Sequence, residues 1–117
     1  MTKKLWVVCS SQEFELEKSR IGKTKSTEIE DACILGVEVG TNCPQGGDWG
    51  YGGRTYLALG NDGGVGWMVK VKDVEGEEHC FDQPIEVEVL LGGDAEYRCL
   101  IKALEFALNV LKKGDEE

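Results

Sequence analysis

The chain has 117 residues, a formal net charge of -9 and a sequence pI near 4.6. It is 41% hydrophobic and 30% charged, which is typical of a folded globular domain and not of a disordered or fibrous chain. This length predicts a single domain over residues 1–117. The strong negative charge argues against direct binding to nucleic acid or to an anionic membrane surface.

The sequence also argues against a membrane protein or a secreted one. No apolar run approaches the roughly 20 residues that a spanning helix needs, and the apolar stretch after Lys3 and Lys4 is too short for a secretion signal. The five cysteines are odd in number and scattered along the chain. Because reduced thiols are the default in the cytosol, we expect a cytoplasmic location.

Strands are predicted first near the N-terminus. Residues 5–10 predict a strand, and the weak alternation over residues 12–17 predicts its hairpin partner. Residues 19–30 are basic and then acidic, and they predict an exposed connection. Residues 32–40 alternate with period two, so that one face is apolar and the other carries Glu38, and they predict a further strand.

A hairpin is predicted in the middle of the chain. Residues 55–59 and 65–71 both alternate like strands, and Asn61-Asp62-Gly63-Gly64 between them favours a tight turn because these residues tolerate positive φ. Residues 79–81 predict a short strand. Residues 84–91 predict another, with its glutamates facing outward.

One long helix is predicted over residues 95–113, with Asp94 at its N-cap and Gly114 after its end. We interpret Gly92-Gly93-Asp94 as the start of this helix in preference to an anion-binding site at its N-terminus. The helix carries two apolar stripes, which are Tyr97, Ile101, Leu104, Leu108 and Leu111, and Cys99, Ala103, Phe106 and Val110.

Two stripes predict two packing partners for this helix. One partner is the sheet of the same domain, and for the other we expect a homo-oligomer formed through the C-terminal helix, with a curled sheet as the alternative. Together the elements predict an α+β fold. Its curved, mainly antiparallel sheet has about five strands, with the one C-terminal helix packed on it.

The densest glycine cluster lies between two of the predicted strands, and we name it the glycine-rich loop. Glycine lets a backbone approach a ligand and turn N–H groups toward an anion. Aromatic rings stack on bases, and a guanidinium grips phosphate. The sequence therefore predicts a ligand-binding loop made of Gly46, Gly47, Asp48, Trp49, Tyr51, Gly53, Arg54 and Thr55. The alternative is an irregular hairpin loop in which the rings fold onto the sheet and Arg54 pairs with Asp48.

Catalysis has little support in the sequence. His79 is the single histidine, so mechanisms and metal sites that need two histidines are excluded. Cys43, next to Pro44 at the mouth of the loop, is interpreted as a lining residue in preference to a nucleophile. We expect no catalytic residue, no bound metal and no cofactor, and hence no enzyme.

Two motifs carry a resemblance to a known family. They are Pro44-Gln45-Gly46-Gly47-Asp48 continued by Gly52-Gly53-Arg54-Thr55, and Leu91-Gly92-Gly93-Asp94-Ala95-Glu96 before the helix. This pattern resembles a family of small phage and prophage proteins, and it covers about the last two-thirds of the chain. Compact acidic proteins of that origin resemble anti-defence factors. The resemblance therefore implies a viral role in the host cytoplasm.

Two functions follow as hypotheses. The first is a non-catalytic homo-oligomer that sequesters a small nucleotide-like anion through Trp49, Tyr51 and Arg54. On this hypothesis, loss of the Arg54 side chain leaves stability within about 1 kcal/mol. The second is an anti-CRISPR or DNA-mimic type of inhibitor, whose acidic surface docks on a basic groove of a nucleic-acid-binding defence complex. Its motivation is a run of seven carboxylates uninterrupted by Lys or Arg, namely Asp73, Glu75, Glu77, Glu78, Asp82, Glu86 and Glu88.

Overall fold

The structure is a computed structural model that describes residues 9–114. Over that range the chain forms two α-helices, six strands and two short 3₁₀ turns. In chain order the helices and strands are α1 (Ser11–Lys18), β1 (Lys25–Asp31), β2 (Cys33–Thr41), β3 (Arg54–Gly63), β4 (Met68–Lys72), β5 (Glu78–Asp82), β6 (Glu86–Gly92) and α2 (Asp94–Lys113). The 3₁₀ turns are Ser19–Ile21 and Trp49–Tyr51.

The strands form two sheets. The main sheet has the order β1-β2-β3-β6, and every neighbouring pair in it is antiparallel. β4 and β5 form a separate antiparallel ribbon. This confirms the predicted α+β class, with a mainly antiparallel sheet and a C-terminal helix. The strands are divided four and two, where the sequence predicts one sheet of about five.

The register gives the main sheet two chemically different faces, because side chains alternate along each strand. One face, named here the apolar face, carries Leu35, Val37, Val39, Leu57, Leu59, Val87 and Val89. The other, named the acidic face, carries Glu28, Glu38, Glu86 and Glu88. The two helices lie on opposite faces.

The helix α1 replaces a predicted strand. The prediction of a hairpin partner over residues 12–17 is wrong, and the predicted strand over residues 5–10 lies mostly outside the described residues. The cause is a capping box, in which the Ser10 side chain accepts from the Glu13 N–H and the Glu13 carboxylate accepts from the Ser10 N–H, both at 3.0 Å. This reciprocal pair starts a helix, and the straight-chain residues that follow have good helix propensity.

Aromatic contact attaches α1 to the acidic face. The ring of Phe14 meets that of Tyr56 edge-on, with centroids 6.4 Å apart, and the Lys18 ammonium lies 4.2 Å above the Tyr56 ring. Edge-to-face pairs and cation–π contacts of this kind add to the benefit of burial alone. Tyr56 is therefore covered by α1 and is one of the most buried side chains described.

The predicted exposed connection over residues 19–30 is wrong in its second half, which forms β1. This strand pairs along its whole length with β2, so that Ile29 lies opposite Leu35 and Thr27 opposite Val37. Every residue of β1 is exposed. A polar sequence is suited to such an edge strand, because exposed charges discourage pairing with another chain.

The predicted hairpin around residues 61–64 is also wrong. β3 pairs with β2 and β6, while β4 pairs with β5. The Asn61 side chain accepts from the N–H groups of Gly63 and Val65, at 3.1 and 3.0 Å. These bonds end β3, and the chain that follows does not turn back to pair with it. The Asn61 N–H donates to the Ile85 carbonyl at 2.8 Å and so connects β3 to the start of β6. Long-range pairing therefore outweighs the local turn preference.

The remaining predicted elements are confirmed with small changes of boundary. They are residues 32–40 as β2, 55–59 as β3, 65–71 as β4, 79–81 as β5, 84–91 as β6 and 95–113 as α2.

The start of α2 differs in one detail from the prediction. Gly93 is the N-cap, with a φ of 97°, and the cap has no side-chain hydrogen bond. Asp94 is the first residue of the helix and not its cap. Its carboxylate, like that of Glu96, still lies in the first turn, where the helix dipole favours negative charge.

Candidate functional site

The glycine-rich loop folds back on itself and against the start of α2. The N–H of Gly53 donates to the Asp48 carbonyl at 3.1 Å, and the N–H of Gly93 donates to the Gly53 carbonyl at 2.9 Å. A Cβ added to Gly53 would lie 2.0 Å from the Gly47 carbonyl oxygen. Glycine is thus required at position 53 because two parts of the chain's own backbone meet there.

Arg54 is buried inside the loop, with 2% of its surface exposed. Its Nε and Nη2 donate to one oxygen of Glu17, at 2.9 and 2.5 Å, and its Nη1 donates to the carbonyls of Gly53 and Trp49, at 2.7 and 3.0 Å. The alternative sequence interpretation named Asp48 as the acid that pairs with Arg54. The structure corrects that partner to Glu17, which lies in α1.

The Glu17 carboxylate shows the effect of this pairing. The hydrogen bond from Arg54 is the largest cause that lowers the pKa of Glu17 from its ordinary value of 4.5, and it outweighs the opposing effect of burial. Arg20 adds a second ion pair to the same oxygen at 3.0 Å. Glu17 therefore connects α1 to the loop and to the turn that follows the helix.

The two aromatic residues of the loop remain at the surface. One face of the Trp49 ring lies 3.4 Å from the Arg54 guanidinium carbon, and the ring also contacts the backbone of Gly92, where a Cβ would lie 1.7 Å from the indole. Trp49 is still 51% exposed, and Tyr51 is 85% exposed. Both rings therefore present surface on which a flat ligand can stack.

Asn42 organises the loop and is a residue that sequence reasoning missed. Its Oδ1 accepts from the Arg54 N–H at 2.8 Å, and its Nδ2 donates to the carbonyls of Gly52 and Arg20, at 2.9 and 3.3 Å. A Cβ on Gly46 would lie 2.4 Å from Asn42 Oδ1, so that glycine fits against the same amide. An asparagine directly after a strand is the available sequence signal, because its amide bonds readily to nearby backbone.

The structure places six of the eight predicted residues in the loop and the other two, Arg54 and Thr55, at the start of β3, and it separates the eight by burial. Thr55 contributes to the interior through its hydroxyl, which lies 2.8 Å from that of Thr41. The Asp48 side chain accepts from the Tyr51 N–H at 3.2 Å and caps the 3₁₀ turn. In all, Gly53, Arg54 and Thr55 are buried, Gly46 and Gly47 are half-buried, and Asp48, Trp49 and Tyr51 are exposed.

Beneath the loop, the Cys43 thiol lies beside Asp94. Burial raises the pKa of Cys43, and the neighbouring Asp94 carboxylate raises it further. A thiol whose pKa is raised is a poor nucleophile at neutral pH. This environment agrees with the interpretation of Cys43 as a lining residue.

A second concave site lies on the acidic face. The register aligns Glu28, Gly36, Gly60 and Glu86 in one row across the four strands of the main sheet. The two central glycines have no side chains, and the Asp62 carboxylate lies over Gly36, where a Cβ would come within 2.3 Å of it. Around that carboxylate the row forms a hollow of about 400 Å³ with a glutamate at either end. Glu38 of the next row and Asp62 also line it, and its lining residues include no Lys or Arg.

The carboxylates of the hollow lie close enough to affect one another. Burial is the largest cause that raises the pKa of Glu86, and the negative charges of Glu88 and Glu38 raise it further. Glu88 also accepts a hydrogen bond from the Tyr56 hydroxyl at 2.7 Å. The hollow therefore concentrates negative charge and favours a cation.

A third cluster lies in the turn of the β4–β5 ribbon. Asp73, Glu77 and His79 each offer one ligand atom, and these atoms lie within 4.8 Å of one another, which is the spacing of a group able to hold a metal ion. Burial acts to raise the pKa of Asp73. Hydrogen bonds from His79 and from the N–H groups of Glu77 and Glu75 nevertheless hold that pKa below its ordinary value. Sequence reasoning missed this cluster because the ribbon pairing, which places His79 opposite Val71, brings the three together.

Comparison of the chain with protein-family models, with curated proteins and with solved structures gives no match. The fold and its sites define an α+β domain with an acidic concave sheet face and a closed glycine-rich loop. Within residues 9–114, no helix is both long enough and apolar enough to cross a membrane.

Proposed function

We propose that this chain is a non-catalytic binding protein that docks on a basic surface of a protein partner through its acidic face. The observation that carries the proposal is the row of Glu28 and Glu86 on either side of two glycines. It corresponds to the sequence hypothesis of an acidic inhibitor of a nucleic-acid-binding complex. The surface is, however, formed by four strands and not by the run of residues 73–88 alone.

Charge and shape both support this docking mode. The hollow has the volume of an ordinary binding pocket, about 300–1,000 Å³, and accepts Lys or Arg side chains that protrude from a partner. Burial and then the negative charges of Glu88 and Glu38 raise the pKa of Glu86, and an incoming cation offsets the repulsion from those charges. The net charge of -9 also steers a basic partner toward the chain over a distance.

We expect the double variant Glu28→Lys and Glu86→Lys to weaken binding of an octa-arginine peptide by at least about tenfold. The matched control is Glu78→Lys with Asp82→Lys, which changes the net charge equally but alters the β4–β5 ribbon outside the hollow. Titration calorimetry at low salt and at 0.15 M salt measures both variants. Equal losses in the two would show that overall charge alone attracts the peptide and would refute a defined docking face.

The sequestration of a small nucleotide-like anion by the glycine-rich loop is a second candidate. It is favoured by the exposed rings of Trp49 and Tyr51. Arg54 is buried, so the accessible cation next to the loop is Arg20, which also pairs with Glu17 but is half-exposed. Its guanidinium lies 3.3 Å from the position of a Cβ on Gly52. On this proposal the residue that contacts the anion is Arg20, in place of the Arg54 that the sequence predicts.

For this candidate we expect one member of a panel of cyclic dinucleotides and ADP-ribose derivatives to raise the melting temperature. Tyr51→Ala and Arg20→Ala should each remove that shift, because one loses the stacking surface and the other the cation. Arg98→Ala, on the exposed side of α2, should retain it. Absence of any stabilisation across the panel would leave the acidic face as the binding site.

A further inference from the structure

We propose that the apolar face of the main sheet and the uncovered length of α2 form an interface with a second copy of this chain. The surface lies on the opposite side of the sheet from the acidic hollow. The proposal is therefore independent of the function proposed above. It assigns a surface to the homo-oligomer that the stripes of the C-terminal helix predict.

The helix covers the sheet with only its first half. Tyr97, Ile101 and Leu104 line a hollow together with Val39 and Thr55 of the sheet. Beyond that contact every described residue of the helix is exposed. The exposed side chains include large apolar ones from both stripes, namely Phe106, Leu108, Val110 and Leu111.

The sheet beside the helix is similarly uncovered. Val39 and Val89 of the apolar face are exposed, as is Ile29 of the neighbouring edge strand. Of the hydrophobic side chains in residues 9–114, those of Cys43, Tyr56 and Ala58 are the buried ones. Exposed apolar area that continues from a sheet onto a helix marks an interaction surface.

The chain exposes enough area for a stable dimer interface. The chain exposes 8985 Å², whereas a compact monomer of its mass exposes roughly 6,300 Å². Full exposure of the eleven residues outside the described range accounts for at most about 1,830 Å² of that difference. About 850 Å² of excess then belongs to the described residues as a whole, the β4–β5 ribbon included, while a standard interface takes about 800 Å² from each partner.

The nearly neutral charge of α2 permits contact with a second copy. The helix α2 carries four cationic and three anionic side chains, so its net charge is +1 in a chain whose net charge is -9. Two chains that meet through this helix keep their acidic faces directed outward, which limits the repulsion between them. A two-fold axis also lets the same apolar stripe pack against itself, which requires no separate complementary surface.

The test is the mass of the full chain in solution, measured by light scattering after size exclusion and by native mass spectrometry. We expect at least twice the 12.9 kDa of one chain, and we expect Leu111→Glu to reduce the assembly to one chain. Leu111 is 78% exposed in the single chain, so this change should leave the circular dichroism of the isolated fold intact. The control Asn109→Glu, on the polar arc of the same helix, should retain the wild-type mass.

Two results would overturn the proposal. One is a wild-type chain that remains monomeric both at 100-fold dilution and at the highest soluble concentration. The other is an oligomer whose mass Leu111→Glu leaves unchanged. In the first case, protection of the helix amides from hydrogen exchange would indicate that another segment of the same chain, such as residues 1–8, covers the apolar face. The Glu28→Lys and Glu86→Lys variant should keep the wild-type mass, which separates this test from that of the acidic face.

Discussion

Replacement of Arg54 by alanine is expected to lower the free energy of unfolding by about 3 kcal/mol or more. The guanidinium is 2% exposed, stacks on Trp49 and donates to Glu17 and to two carbonyls, so its removal leaves a cavity and unpaired acceptors. Urea unfolding followed by tryptophan fluorescence measures the loss. Arg98→Ala, an exposed change on α2, should stay within about 0.5 kcal/mol of wild type.

This result distinguishes the two interpretations of the loop. A ligand-facing Arg54 predicts a change within about 1 kcal/mol, because surface substitutions cost little. A loss below that value would therefore contradict the buried ion pair and restore Arg54 as a candidate ligand contact.

The pH dependence of the same variant provides a second measurement. The folded pKa of Glu17 is lowered, so its ionised form stabilises the fold above the ordinary value of 4.5, and this stability is lost as the pH falls through the folded pKa. Arg54→Ala removes the main cause of the shift. The difference in unfolding free energy between wild type and variant should shrink below pH 4.5. A difference that stays constant down to pH 3 would contradict this assignment.

Gly53→Ala is expected to lower the free energy of unfolding by about 2 kcal/mol or more. The added Cβ would lie 2.0 Å from the Gly47 carbonyl oxygen and 3.2 Å from the Gly93 Cα. Both obstacles are backbone atoms, so no side chain can rotate away and the loop must separate from α2. For a domain of this size we expect a fall in melting temperature of roughly 8 °C, measured by calorimetry.

The matched control for Gly53 is Gly50→Ala, in the same loop. The nearest atom to a Cβ on Gly50 is Asp48 Oδ1 at 3.4 Å, which is ordinary contact. We expect a change within about 0.5 kcal/mol. If both variants have the melting temperature of the wild type, the backbone of the loop does not pack against the start of α2 as described.

The glycines of the loop show how far composition alone can predict a contact. Their density predicts a close backbone approach, and the structure contains one at Gly53. The approaching group is the chain's own backbone at Gly47 and Gly93. A glycine in the sequence indicates that other atoms come close to its backbone. It does not indicate which atoms, because they belong to segments that are distant in sequence.

The acidic hollow can likewise be predicted only in part from the sequence. Alternation places Glu38 on one side of its strand and Glu86 and Glu88 on one side of theirs, and both placements can be made from the sequence. Their convergence in one hollow depends on register, because a shift of one residue would move each glutamate to the opposite face. The sequence predicts an exposed connection where the strand with Glu28 lies, so it does not predict that end of the row.

The sequence by itself determined the elements whose signal is local. The 3.6-residue periodicity after Gly93 specifies α2, and the alternation over residues 32–40 specifies β2, because each pattern follows from the geometry of one segment. Only the tertiary structure decided that β3 pairs with β6 and that Arg54 meets Glu17, 37 residues away. Such contacts depend on the burial and hydrogen bonding of the whole chain, which outweigh the preference of any short stretch.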